Sequence, residues 1–73
     1  MQTLEPGKYQ HYKGNTYLVL GIAKHSETNE DMVVYVTLYD NPMANMWVRP
    51  LEMFLDNVTV DGKVMPRFKK IAE

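Results

Sequence analysis

The sequence contains no cysteine. That absence removes disulfides and thiolate metal sites, two devices with which short domains often supplement a small core. Long apolar runs are missing too. No stretch approaches the roughly 20 apolar residues needed to span a bilayer. The opening Met1-Gln2-Thr3-Leu4-Glu5-Pro6 lacks the basic and apolar regions of a signal peptide. Asn57-Val58-Thr59 matches a glycosylation acceptor, but without a secretion signal the match is read as chance. Charge of one sign is also missing: 8 basic residues face 9 acidic ones, a formal net charge of −1. So balanced a chain has no overall attraction to nucleic acid or to anionic membrane. Its one basic cluster is Arg67, Lys69 and Lys70, partly offset by Glu73. These absences lead us to expect a cytoplasmic protein with no membrane association.

At 73 residues the chain has room for a single domain spanning residues 1–73. Its apolar share, 45%, is that of a globular protein and argues against disorder. A core of this size supplies only about 3–5 kcal/mol of net stability. Packing, or association into a homo-oligomer, has to provide it.

No internal repeat, low-complexity run or linker interrupts the sequence, and the breakers fall at the spacing of an all-β domain. Pro6-Gly7 precedes the aromatic run Lys8 to Tyr12, and Lys13-Gly14-Asn15 reads as a tight turn. Thr16 to Ala23 is a strongly apolar strand in which Gly21 marks a bulge or a close backbone approach. The polar segment Lys24 to Asp31 is a loop. Met32 to Tyr39, rich in β-branched and aromatic residues, is the next strand. Asp40-Asn41-Pro42 opens a loop through Asn45, and Met46 to Arg49 is a short strand stopped by Pro50. Leu51, Phe54 and Leu55 then have the spacing of one buried helical face behind a proline, which predicts one helical turn near residues 50–55. Asp61-Gly62, between Val58-Thr59-Val60 and Lys63-Val64-Met65, is a two-residue hairpin turn that needs positive φ at both positions. Pro66 belongs at an edge or a bulge.

Five or six short strands and one helical turn follow from this reading. A flat sheet so small leaves two open edges and a bare face, and rolling into a barrel removes both problems. The expected fold is therefore an all-β, small SH3-like barrel, with an OB-like barrel as the alternative. Parity within Met32 to Tyr39 is ambiguous. Val34, Val36 and Leu38 share one face, Val33, Tyr35, Thr37 and Tyr39 the other, and both are apolar enough to be core.

The chain resembles a family of short bacterial proteins catalogued as a domain of unknown function, number sixteen fifty-three. The resemblance rests on Gly7-Lys8-Tyr9, His11-Tyr12-Lys13-Gly14, Tyr17, His25-Ser26-Glu27-Thr28, Val33-Val34-Tyr35, Leu38-Tyr39, Trp47-Val48-Arg49-Pro50, Met53-Phe54, Asp61-Gly62 and Pro66-Arg67-Phe68. These run in order over nearly the whole chain. The resemblance implies an SH3-like barrel and no particular activity. Two places depart from the family pattern: Asn41-Pro42-Met43-Ala44-Asn45 replaces a glycine-containing loop, and Val36 stands where relatives are often polar. The second departure favours Val33, Tyr35 and Tyr39 as the buried face and leaves Val36 partly exposed.

Few residues carry chemistry. His25-Ser26-Glu27 has the composition of a hydrolytic triad, but sequence neighbours on a loop rarely reach triad geometry. The competing reading is a structured loop whose Ser26, Glu27 and Thr28 side chains satisfy backbone N–H groups. His11 and His25, with Glu27 or Glu52, lack a zinc-site spacing. We expect no metal and no cofactor. Glu27 and Glu52 could form an acid/base pair, although pairing with Arg49 suits them better. Trp47 and Arg49 share strand parity. If Val48 is core, both point outward, and an exposed tryptophan beside an arginine has the composition of a binding hot spot; the competing reading is Trp47 capping the barrel end as ordinary core.

The best reading of function is a non-enzymatic binding module for a protein or peptide. Its candidate ligand-binding residues are Tyr12, His25, Ser26, Glu27, Trp47, Arg49 and Glu52. Nucleic-acid binding is the alternative: the same composition stacks bases, and it requires Lys8, Lys13, Lys24, Arg49, Arg67, Lys69 and Lys70 to gather on one face. An enzyme or enzyme accessory domain comes third, a homo-oligomer sharing a site between chains being its route.

Overall fold

A computed structural model describes residues 4–72; Met1 to Thr3, part of the signal-peptide reading, and Glu73 lie outside the described residues. The elements are β1 (Gly7–His11), β2 (Thr16–Lys24), β3 (Asp31–Thr37), β4 (Met46–Pro50), α1 (Leu51–Phe54), β5 (Asn57–Val60), β6 (Lys63–Pro66) and β7 (Phe68–Ala72). Seven strands replace the expected five or six, and β7 is the addition. Its Phe68-Lys69-Lys70-Ile71-Ala72 reads as a basic tail because Phe68 is its one fully buried side chain. β3 also stops two residues early, at Thr37.

Five strands form one sheet in the order β4-β3-β2-β1-β7, and β5 and β6 form a separate hairpin. All the pairings are antiparallel. The all-β fold is barrel-like without a closed hydrogen-bonded ring, since β4 and β7 end the large sheet as edges. Among the described residues no helix is long and apolar enough to cross a membrane.

Strand alternation sorts the side chains. Tyr9, Val19, Val33, Tyr35 and Phe68 point to the concave side, where Leu51 and Phe54 of α1 cover them. Val33 and Tyr35 are buried, as the departure from the family pattern at Val36 implied where parity alone was ambiguous, and Val36 is half-buried. Tyr39 is the exception. It lies past the end of β3, exposed, with its hydroxyl 3.1 Å from that of Tyr17. At the heart of the core Phe54 and Phe68 stack 4.1 Å apart, and Tyr9 meets Phe54 edge-on at 5.5 Å.

The breakers act where the sequence placed them. Register shifts between Val19 and Gly21, leaving Leu20 as the extra residue of a bulge. Asp61 and Gly62 take φ of 51° and 79°, the paired positive values of a tight hairpin turn. Pro50 sits one position before α1, as its N-cap, rather than inside it, and Leu55 at the C-cap stays exposed, so only Leu51 and Phe54 form the buried face.

Pro50 also fits its strand. The Thr37 N–H donates to the Asn45 carbonyl at 2.8 Å, in line with the β3–β4 register. Hydrogen-bonded and non-bonded pairs alternate from there. The backbone groups of Trp47 and Arg49 therefore face β3, while those of Met46, Val48 and Pro50 face away. The missing proline N–H costs no ladder bond.

Phe54 is 1% exposed and holds the stack against Phe68. Phe54→Ala should cost about 3–5 kcal/mol, close to the whole stability of a domain this small. Urea titration followed by circular dichroism should find that variant largely unfolded at 25 °C, and Phe54→Leu folded with a lower midpoint.

Candidate functional site

The residues singled out from the sequence do not form one cluster. Tyr12 follows β1 and lies at the Thr16 end of β2, whereas the His25–Glu30 loop follows the Lys24 end. Glu52 on α1 is at that second end, because Pro50 pairs with Met32. His11 and His25 are likewise at opposite ends of β2. Among the described residues no group of three or more His, Asp or Glu side chains is placed to hold a metal ion.

The His25 loop is held by its own backbone. Its closing bonds run from the His25 N–H to the Glu30 carbonyl and from the Asn29 N–H to the His25 carbonyl, both 2.8 Å, with Asn29 at φ 62°. The His25 Nδ1 accepts from the Glu27 and Thr28 N–H groups at 3.2 and 3.4 Å, and the Thr28 hydroxyl accepts from the Glu30 N–H. An imidazole plays the part expected of Ser26 and Glu27, and both of those are exposed. Geometry of this kind holds a turn and leaves no base aimed at the Ser26 hydroxyl.

Val48 is 58% exposed, so the premise that it is core fails, and Trp47 and Arg49 take the concave side. Trp47 packs half-buried on the core and donates its indole N–H to the Ala44 carbonyl at 3.1 Å. The Arg49 guanidinium carbon lies 5.4 Å from the centre of the Phe68 ring, and Nε reaches the Tyr35 hydroxyl at 3.4 Å. Among the described residues Arg49 forms no ion pair with Glu27 or Glu52, the pairing weighed for it from the sequence.

A cluster does form where β7 joins β1. Their register sets His11 opposite Phe68, and the Tyr12 N–H donates to the Arg67 carbonyl at 2.9 Å. The His11 ring lies 4.5 Å from that of Tyr12 and edge-on to Phe68 at 4.9 Å. The Lys13 ammonium is 5.8 Å from the centre of the Tyr12 ring. Arg67 comes within 4.0 Å of Asp56, and its Nε is buried with no acceptor among the described residues. A cleft of about 360 Å³ opens here, lined among others by His11, Tyr12, Met65, Pro66 and Lys69. Arg49, Arg67, Lys13 and Lys69 thus gather around half-exposed aromatic rings in a chain with no net positive charge. A second hollow of about 370 Å³, bordered by Thr37, Asp40, Asn41 and Asn45, has no cation in its lining.

Burial, then Arg49, Arg67 and Lys13, push the His11 pKa down. The neutral ring suits its geometry, since Nδ1 accepts from the Lys13 N–H at 3.2 Å. Burial is likewise the main cause that raises Tyr9 and pushes Tyr17 up to about 12. All three shifts favour the uncharged form, and none prepares a charged nucleophile or base.

Of the expected residues, Tyr12 and Arg49 belong to this cluster, together with His11, Arg67, Phe68, Met65 and Lys69. From the sequence His11 is a candidate only as a metal ligand, whereas Lys13, Arg49, Arg67 and Lys69 are members of the basic face expected under the nucleic-acid alternative. The signal that could have joined them was the alternation of Phe68 with Lys69, buried then exposed, which reads as a strand once a partner is supplied.

The sequence model of a family described as protein of unknown function (DUF1653) matches residues 7–70. The crystal structure of a protein of that family from Bordetella bronchiseptica is similar throughout: 40% identity, a TM-score of 0.92, and 99% of this chain and 92% of that chain covered. No curated protein matches the chain.

The depressed His11 pKa makes stability depend on pH. The unfolded chain takes up the imidazole proton near the ordinary value of about 6.5, while the folded chain does so only at lower pH. Between the two values the unfolded state holds more protons, so stability falls as pH drops through that window and levels off below the folded value. Urea midpoints measured from neutral pH downward should decline for the wild type. The decline should be shallower in His11→Asn, whose amide oxygen keeps an acceptor for the Lys13 N–H.

Proposed function

The chain belongs to the DUF1653 family of proteins of unknown function, and from its own residues we propose that it is a non-enzymatic binding module for an acidic, extended segment of a protein partner. The observation that carries this reading is the convergence of Arg49, Arg67, Lys13 and Lys69 on half-exposed His11 and Tyr12 beside an open cleft. Carboxylates of the ligand would pair with these cations. Apolar side chains would lie on Tyr12, Met65 and Pro66, which present a hydrophobic wall in a groove with a polar rim.

An extended peptide fits better than a rigid small molecule, because the cleft runs between the β1–β2 turn and the β6–β7 junction and is open to solvent. Two observations support binding over catalysis. The titratable groups that shift all move toward neutral forms, and His25, Ser26 and Glu27 build a turn. Protein is favoured over nucleic acid because the net charge of −1 lacks the field that phosphate binders use.

The test is a titration of fluorescent peptides, one rich in Glu and Tyr and one rich in Lys and Tyr, and of a single-stranded oligonucleotide, at low and moderate salt. The acidic peptide should bind, and Tyr12→Ala or Lys69→Glu should weaken it roughly tenfold or more with melting temperatures within a few degrees of wild type. Absence of acidic-peptide binding at low salt would overturn the proposal. Preferential binding of the oligonucleotide would transfer the site to nucleic acid.

A further inference from the structure

The opposite edge of the sheet carries a separate feature. β4 ends the five-stranded sheet, and the alternation set by the Thr37–Asn45 bond turns the backbone groups of Met46, Val48 and Pro50 away from β3. Two N–H donors and three carbonyls therefore line this edge, without a backbone partner among the described residues. Natural edges are commonly protected by charge, yet on the convex face this one presents Met46 and Val48, each 58% exposed. The register continues the apolar surface inward along two rows, Met46–Val36–Leu18 and Val48–Val34. No charged side chain interrupts either row.

We propose that β4 is a self-association edge: two copies pair their β4 strands antiparallel about a two-fold axis at Val48, joining their sheets into one. Three features of the strand select a second copy and this register. Val48 is the middle of Met46–Pro50, so an axis there overlaps the strand along its full length. Val48 then exchanges both backbone bonds with Val48 of the second copy, and each Met46 N–H meets the Pro50 carbonyl opposite. Every donor on the edge is used, and the missing proline N–H leaves no unmatched donor. Charge also fits. Arg49 faces Trp47 of the second copy on the concave side, a cation beside an aromatic ring, whereas an axis at Arg49 would oppose two guanidinium groups. On the convex face Val48 meets Val48 and Met46 meets Pro50, so the apolar rows of the two sheets become continuous. An isologous pairing of this kind closes on itself and stops at two copies. A contact made by one strand pair is small for a specific interface, so the dimer is sought over a wide range of concentration. The cleft beside Tyr12 is lined by residues of β1 and the turn after it, β6 and β7, none of them on β4.

The absence of cysteine makes the test specific for register. Val48→Cys should form an intermolecular disulfide under mild oxidation, because directly opposed residues in a bonded pair have Cα atoms about 5.5 Å apart. Met46→Cys should not, since the two copies of that position are separated by four residues of strand, about 13 Å. Light scattering on the wild type from about 10 μM to about 1 mM should give a mass rising toward twice the monomer. Val48→Lys, folded by circular dichroism, should shift that rise roughly tenfold or more in concentration. A wild type that stays monomeric throughout, together with no cross-link in Val48→Cys, overturns the proposal. A dimer unchanged by Val48→Lys, or cross-linking of Met46→Cys in preference to Val48→Cys, overturns it as well. Should Val48→Lys fail to fold, the two cysteine variants decide between these outcomes.

Discussion

The antiparallel run of β7 along β1 organises the rest of the molecule. It joins residues nearly the whole chain apart, Lys8 to Ala72 and His11 to Phe68. Through it Phe68 enters the concave side and stacks on Phe54, the largest fully buried side chain. A domain with so small a buried core has little redundancy, and an aromatic stack at its centre contributes a large share of the apolar burial. Lys70, next along the same face of β7, reaches Glu5 at 3.2 Å, and the Glu5 carbonyl accepts from the Tyr9 hydroxyl at 2.7 Å. The N-terminal segment is tied down by the same strand that completes the sheet.

That pairing also builds the cationic cleft. Tyr12 bonds to the backbone of Arg67, and Arg67 in turn bonds to the Asp56 carbonyl at 3.0 Å. Three segments far apart in sequence are thereby held in one row by main-chain hydrogen bonds, and their side chains share one opening. The electrostatic consequence is local. A chain with almost no net charge concentrates positive groups around His11, and these add to burial, the larger cause, in making the imidazole give up its proton more readily. A cluster made this way depends on the fold, because the same residues in an unfolded chain would be too far apart and too well screened to interact.

The two ends of the sheet are treated differently. β7 brings lysines and the ion pair with Glu5 to its side, whereas β4 offers unpaired backbone groups bordered by methionine and valine. One asymmetric sheet can therefore hold a polar cleft at one side and an apolar edge at the other. The two surfaces use different residues, apart from Arg49, whose guanidinium is already turned inward over Phe68.

Local chemistry was legible in the sequence. The Asp61-Gly62 turn, the Gly21 bulge, Pro50 closing a strand, and Leu51 and Phe54 facing the core follow from conformational preference and residue spacing, which act over a few residues, whereas alternation left two candidate faces on β3 and only the family resemblance favoured Val33 and Tyr35. The His25 loop was legible as structure, although which side chain held it was not, because hydrogen-bond geometry is absent from composition. Tertiary structure alone decided three things. It made a strand of the basic tail, turned Trp47 and Arg49 inward, and brought His11 and Tyr12 to Arg67. Each depends on which strand lies beside which, and that is settled by the pairing and burial of residues dozens of positions apart, where neither propensity nor spacing reaches.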